Sequence, residues 1–185
     1  AQLNSFDSSA IQALSPTAIE RLSQSALASL DHAQVQALSP AQVEAITSSQ
    51  LLALATLGSL DNLSYSLSAS QLHCIAPDVT LSVSGTALLN DYINSIQDGN
   101  IVQEQTINSQ EKLQNLISIA DRIMIVAAGG VVNPALSAAD LAAIGIVNPN
   151  DGSTLTAEQA NDILSKIAAT ADNGSEITTI SAIST

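Results

Sequence analysis

Aromatic rings are nearly missing from this chain. Phe6, Tyr65 and Tyr92 are the only three, and there is no tryptophan. Sites that stack sugars, bases or flat cofactors usually use such rings, so those ligands fit poorly. Positive charge is as scarce. Arg21, Lys112, Arg122 and Lys166 stand against 17 acidic residues, for a net charge of −13. Nucleic acid and anionic lipid are both recognised by basic groups, so neither is expected as a partner. The acidic residues are scattered and read as a solvated, self-repelling surface. Weak binding of calcium is the other expectation they leave open; no other cofactor is expected. Cysteine occurs once, as Cys74, which excludes an internal disulfide framework. The longest apolar run, Ile123 to Val132, is broken by Gly129 and Gly130. It falls far short of the ~20 residues that span a bilayer, so membrane insertion is not expected. The opening AQLNSF has no basic region or apolar signal core. It would suit a mature N-terminus left after cleavage behind a small residue.

What the chain does have is a repeat. From Ser5 to Leu52 it runs SFDSSAIQ, ALSPTAIE, RLSQSALA, SLDHAQVQ, ALSPAQVE, AITSSQLL. The second position of each octad is a large apolar residue: Phe6, Leu14, Leu22, Leu30, Leu38, Ile46. The third is Asp, Ser or Thr, and the seventh is Ile, Leu or Val. Eight residues of helix turn about 800°, roughly 80° past two full turns. One straight helix would therefore smear these columns around its surface. They make sense if each octad restarts the helix, because Asp, Ser and Thr are preferred N-caps. Pro16 and Pro40 directly follow Ser15 and Ser39, at the first helical position, where proline is tolerated. Gln34, Gln42 and Gln50 lie three residues after Asp31, Ser39 and Thr47, as in a capping box. Leu38 and Val43 flank Ser39 as a hydrophobic staple does. Such short helices are marginal alone and would bury their columns by stacking as a solenoid. The other reading is two or three longer helices; either way the segment is helical.

Past Leu52 the octad decays. Leu60–Asp61 and Leu67–Ser68 keep the apolar-then-cap pairing, and Leu72 closes the last unit. Val79, Leu81 and Val83 alternate with Thr80 and Ser82, which predicts a short strand or an extended linker. A helix is expected over residues 86–96, a turn at Asp98-Gly99-Asn100, and a longer helix over residues 108–128 stopped by Gly129-Gly130. Ser137 with Asp140, and Thr156 with Gln159, read as capping boxes of two further helices. Ser175 is expected to cap a last one through Ile183. The fold class is thus all-α: an octapeptide array over residues 1–72, a connecting region over 73–107 with one possible short strand pair, and a helical module over 108–185.

The octads resemble the ALSxxQVxALS arrays of giant secreted or surface-attached bacterial adhesin-like proteins of the RTX type. The stretches ADRIMIVAAGG, LSAADLAAIGI, LTAEQANDILSKIAAT and DNGSEITTISAI resemble the small helical modules of that class. The resemblance implies an extracellular, structural or adhesive role in a bacterium. It carries over no catalytic residue, and no calcium-binding nonapeptide array is present.

Catalytic patterns are weak. His32 and His73 are the two histidines, and His32 is expected to be exposed at the start of its octad. His73-Cys74 lacks a second pair to complete a tetrahedral zinc site and a third group to orient a nucleophile. A buried structural cysteine beside a solvated histidine is expected there. Asn148 to Gly152 fails the register of a calcium loop, since Pro149 falls on a ligand position, and reads as a turn. The leading expectation is therefore a non-enzymatic extracellular protein that self-assembles into a filament or surface layer through its repeats, with Phe6, Leu14, Leu22 and Leu30 as the assembly interface. The alternative is a monomeric adhesion or spacer module of a larger bacterial surface protein that binds a surface ligand. A hydrolase with its site near His73 is a distant third.

Overall fold

A computed structural model describes residues 7–56, 67–97, 107, 109–170 and 174–184. Phe6, the expected turn at Asp98-Gly99-Asn100 and the Leu60–Asp61 pair lie outside the described residues. Those that are described form an all-helical protein of twelve helices.

The octads do restart the helix. The first five helices are α1 (Ser8–Gln12), α2 (Pro16–Glu20), α3 (Gln24–Leu27), α4 (His32–Gln36) and α5 (Pro40–Glu44). Their N-caps are Asp7, Ser15, Ser23, Asp31 and Ser39, each in extended backbone with its side chain accepting from the amide three residues on. The sixth, α6 (Ser48–Thr56), opens at Thr47, whose Oγ1 accepts from the Gln50 amide. Each corner is closed by the second-position amide donating to the preceding seventh-position carbonyl, as from Leu14 to Ile11 and Ile46 to Val43. Helices three octads apart pack together: α1 on α4, α2 on α5, α3 on α6. The seventh-position column, Ile11, Ile19, Leu27, Val35, Val43 and Leu51, is buried throughout.

A seventh helix, α7 (Ala69–Ile75), is capped by Ser68 and packs on α6. The next, α8 (Val83–Gln97), begins three residues before the expected helix. No strand occurs over residues 79–83 or elsewhere among the described residues. Val79 and Leu81 turn into the core while Thr80 and Ser82 stay exposed. The expected alternation holds for those four residues but fails at Val83, which is 90 % exposed at the start of the next helix, and no extended neighbour is there to pair with. Ser82 instead caps α8, its Oγ accepting from the Gly85 amide.

The longest helix, α9 (Gln110–Ala127), packs against α6, α7 and α8, and also against α10 (Ala138–Ala143) and α11 (Ala157–Ala168). Its buried residues include Leu113, Leu116, Ile117, Ile119, Ala120 and Ile123. They cover a face broader than a single stripe, as a helix with neighbours on several sides requires. The Gly130 amide bonds the Ile125 carbonyl and the Gly129 amide that of Val126, with Gly129 at φ +73. This is a Schellman motif. Gly145, at φ +83, ends α10 with the same pair of bonds. The capping boxes at Ser137 and Thr156 form as expected.

The last helix, α12 (Ile180–Ser184), starts later than expected. Ser175 lies in a turn, and Thr179 takes the capping role by accepting from the Ala182 amide. Asp91 of α8 accepts from the Ile180 amide at 2.8 Å, which ties α12 to α8. One buried apolar cluster runs from Ile11 to Ile183, so the three expected segments share a core.

Candidate functional site

The feature that separates the octads from ordinary capped helices is the sixth position. In α4 to α6 it holds Gln34, Gln42 and Gln50, and Gln71 stands at the same place in α7. Each Oε1 of Gln34, Gln42, Gln50 and Gln71 accepts from the backbone amide of its own N-cap, at 2.7–2.9 Å. In Gln42, Gln50 and Gln71 the other end of the amide reaches a different helix. Gln42 Nε2 donates to the Ile11 carbonyl at 2.9 Å and to that of Leu14 at 2.7 Å. Gln50 Nε2 repeats this on Ile19 and Leu22, both at 2.8 Å. Gln71 Nε2 takes Val43 at 2.8 Å and Ile46 at 3.1 Å. In every case the acceptors are the seventh-position carbonyl at a helix end and the second-position carbonyl just past it. The seventh-position carbonyl also takes the corner bond, and the second-position one lies past the helix end, where the intrahelical ladder has stopped. One buried side chain thus caps its own helix and closes the end of another.

The chain continues this bonding beyond the octads. Gln114 of α9 donates through Nε2 to the Ile75 carbonyl at the end of α7, at 2.7 Å. Asn90 of α8 exchanges two bonds of 2.8 Å with the backbone of Leu67. In α1 to α3 the sixth position is Ala10, Ala18 and Ala26, so α1 and α2 accept such bonds and none of the three helices donates one from that position.

Sequence reasoning found Gln34, Gln42 and Gln50 as capping partners but not as bridges. A signal was present. A capping box is served equally by Glu or Gln, yet these positions hold Gln every time in a chain with 17 acidic residues. Only an amide can donate as well as accept. Gln71 and Gln114 were missed because the octad phase is lost around them.

The expected interface residues are placed as follows. Leu30 is 6 % exposed and belongs to the core, while Leu14 and Leu22 are half-buried and pack against it. Phe6 lies outside the described residues. The second-position column is therefore largely engaged within the chain.

The His73–Cys74 pair sits late in α7. His73 Nδ1 lies 2.8 Å from the Val79 carbonyl on an exposed surface. Cys74 is exposed, not buried as expected. It occupies the first position of an octad, beside the corner and off both apolar columns, so nothing turns it inward.

Among the described residues no three His, Cys, Asp or Glu side chains are gathered so as to hold a metal ion. At the Asn148–Gly152 turn, the Ser153 amide and hydroxyl both donate to Asp151, which lowers its pKa below the usual carboxylate range. Burial raises that of Asp121 in α9. Arg122 donates to the Pro134 carbonyl at 2.7 Å and lies 3.7 Å from Asp140, pinning the box at the start of α10 to α9. No described helix is long and apolar enough to cross a membrane. Compared with family models, with curated proteins and with solved structures, the chain matches none.

Proposed function

We propose that this chain is a non-enzymatic structural protein of the bacterial exterior, and that it self-associates through its octads. The helices α1 to α6 are read as a solenoid-like stack with three octads to a turn, continued by α7. The observation that carries this reading is the double use of Gln42, Gln50 and Gln71. Both ends of each amide are engaged, joining one helix start to another helix end. Polar groups so engaged build a stiff column and leave its outer surface to act. Placement outside the cell, in a filament or surface layer, rests on the resemblance of the octads and the C-terminal stretches to adhesin-like repeats.

A second reading, a monomeric spacer or adhesion module of a larger surface protein, is favoured by one contact. The end of α7 is closed by Gln114, so the column finishes against the C-terminal helices, as a stack with a terminal cap does.

Electron microscopy of the purified chain at micromolar concentration, with and without calcium, separates the two. Self-association predicts filaments or sheets, and their loss when Leu14→Asp and Leu22→Asp are combined, with the helical circular dichroism kept. Dispersed particles from the unaltered chain under both conditions would overturn it in favour of the spacer. A change with calcium would assign a task to the acidic surface.

A further inference from the structure

The three octads nearest the N-terminus pack chiefly on the three that follow them. Among the described residues α1, α2 and α3 pack on α4, α5 and α6 respectively. By contrast, α6 also packs on α7 and α9. The buried side chains the three helices contribute, Ile11, Ile19 and Leu27, are one per helix. The carbonyls ending α1 and α2 receive the amides of Gln42 and Gln50, and the three helices return no such bond, because their own sixth positions are alanine. The residues expected to mediate association, Leu14, Leu22 and Leu30, lie at the corners of this same segment and are already engaged. A second copy reaches them only if the segment lets go of its own chain.

We propose that it does so by exchange: α1 to α3 of one copy pack on α4 to α6 of another, and the reverse. Letting go strips Gln42 and Gln50 of their acceptors and uncovers Val35, Val43 and Leu51. The surface so opened carries two amide donors eight residues apart over an apolar seam. What fits it is a chain that offers paired helix-end carbonyls at the same eight-residue spacing, which is another copy of α1 to α3. The Ala28–Leu30 corner is the hinge. It is held by the Leu30 amide on the Leu27 carbonyl and by the Ser29 amide and hydroxyl, both on that of Ala26, and straightening it gives up those three bonds. Every other broken contact is remade between copies, which is why exchange of identical elements is a low-cost route to association. Reciprocal exchange closes a dimer; one-way exchange from copy to copy builds a chain.

This inference deepens the self-association reading and is tested apart from it. Ser8 Oγ of α1 lies 3.4 Å from the Ala33 carbonyl of α4. In a Cys74→Ser background, one population carries Ser8→Cys and a second carries Ala33→Cys, so neither chain holds both thiols. The two are mixed, warmed below the main unfolding transition and oxidised. A chain carrying both substitutions verifies that this pair can form a disulfide at all. Exchange predicts a disulfide-linked heterodimer, raised about a hundredfold over a control pair of Ser8→Cys with Glu158→Cys, because exchanged thiols meet at a high effective concentration. Assemblies seen by microscopy without that heterodimer would overturn exchange and leave surface association standing. Monomers throughout would overturn both.

Discussion

At the scale of single residues, two glutamines in the same box motif have different duties. Gln42 is 1 % exposed, with its amide hydrogens on the Ile11 and Leu14 carbonyls. Gln159 makes the box bond to the Thr156 amide at a half-exposed site. Glutamate keeps the box in both. At position 42 it also aims a buried carboxylate at two carbonyl oxygens, which raises its pKa above the unfolded value of about 4.3. Gln42→Glu is therefore expected to cost about 3 kcal/mol at neutral pH. The sign follows from the raised folded pKa: the variant comes nearest the parent below about pH 4, and the deficit grows as pH rises and the group ionises. Gln159→Glu is expected to stay within about 0.5 kcal/mol of the parent at every pH. Urea unfolding of both variants and the parent at a series of pH values checks this. Equal costs at the two positions would remove the bridging role. The box at Ser39 was legible in the sequence because it spans three residues. The bridge was not, because its acceptors lie 28 and 31 residues away.

At the scale of elements, local chemistry carried most of the information. Five octad caps, two octad prolines and the boxes at Ser137 and Thr156 all form where cap and turn rules place them. The misses are of another kind. Residues 79–83 alternate as a strand does, but only Val79 and Leu81 face the core, Val83 is exposed where α8 begins, and the pattern cannot supply a pairing partner. Ser175 and Thr179 are both plausible caps locally, and a tertiary bond from the Ile180 amide to Asp91 accompanies the choice of the later start. The glycine before that turn tests how closely elements approach. Gly174 has φ +64, and a Cβ built there meets Met124 Sδ at 2.8 Å; Gly129 has φ +73 and open space around it. Gly129→Ala is expected to cost about 1 kcal/mol for the left-handed backbone alone. Gly174→Ala adds displacement of the Met124 side chain and is expected to cost about 2 kcal/mol. Met124→Ala in the Gly174→Ala background should recover part of the difference. Equal costs at the two glycines would mean that α9 and this turn do not touch.

At the scale of the molecule, α9 is the part on which the rest converges. It touches the octads through α6 and α7, the connecting region through α8, and the C-terminal helices through α10 and α11. The sequence showed that residues 108–128 were helical and apolar over a wide face. Which neighbours fill that face is a property of the whole chain, and no local pattern encodes it. Tyr92 of α8 reports on this packing. The ring is fully buried, and burial raises its pKa from 10.0 to about 12. Because the folded value is the higher one, the contribution to stability is complete below pH 10 and is lost as pH rises through about 12. A shift of that size corresponds to about 2–3 kcal/mol. Alkali should therefore unfold the chain cooperatively between those limits. In a Tyr65→Phe variant, which leaves one phenol to observe, tyrosinate absorbance should appear only together with loss of the helical circular dichroism. Replacing Tyr92 as well, by Phe, should shift the alkaline transition to higher pH, since the group whose ionisation drives it is gone. Tyrosinate forming near pH 10 in a chain that is still helical would mean that solvent reaches α8, and that α9 does not hold the core in the way its contacts imply.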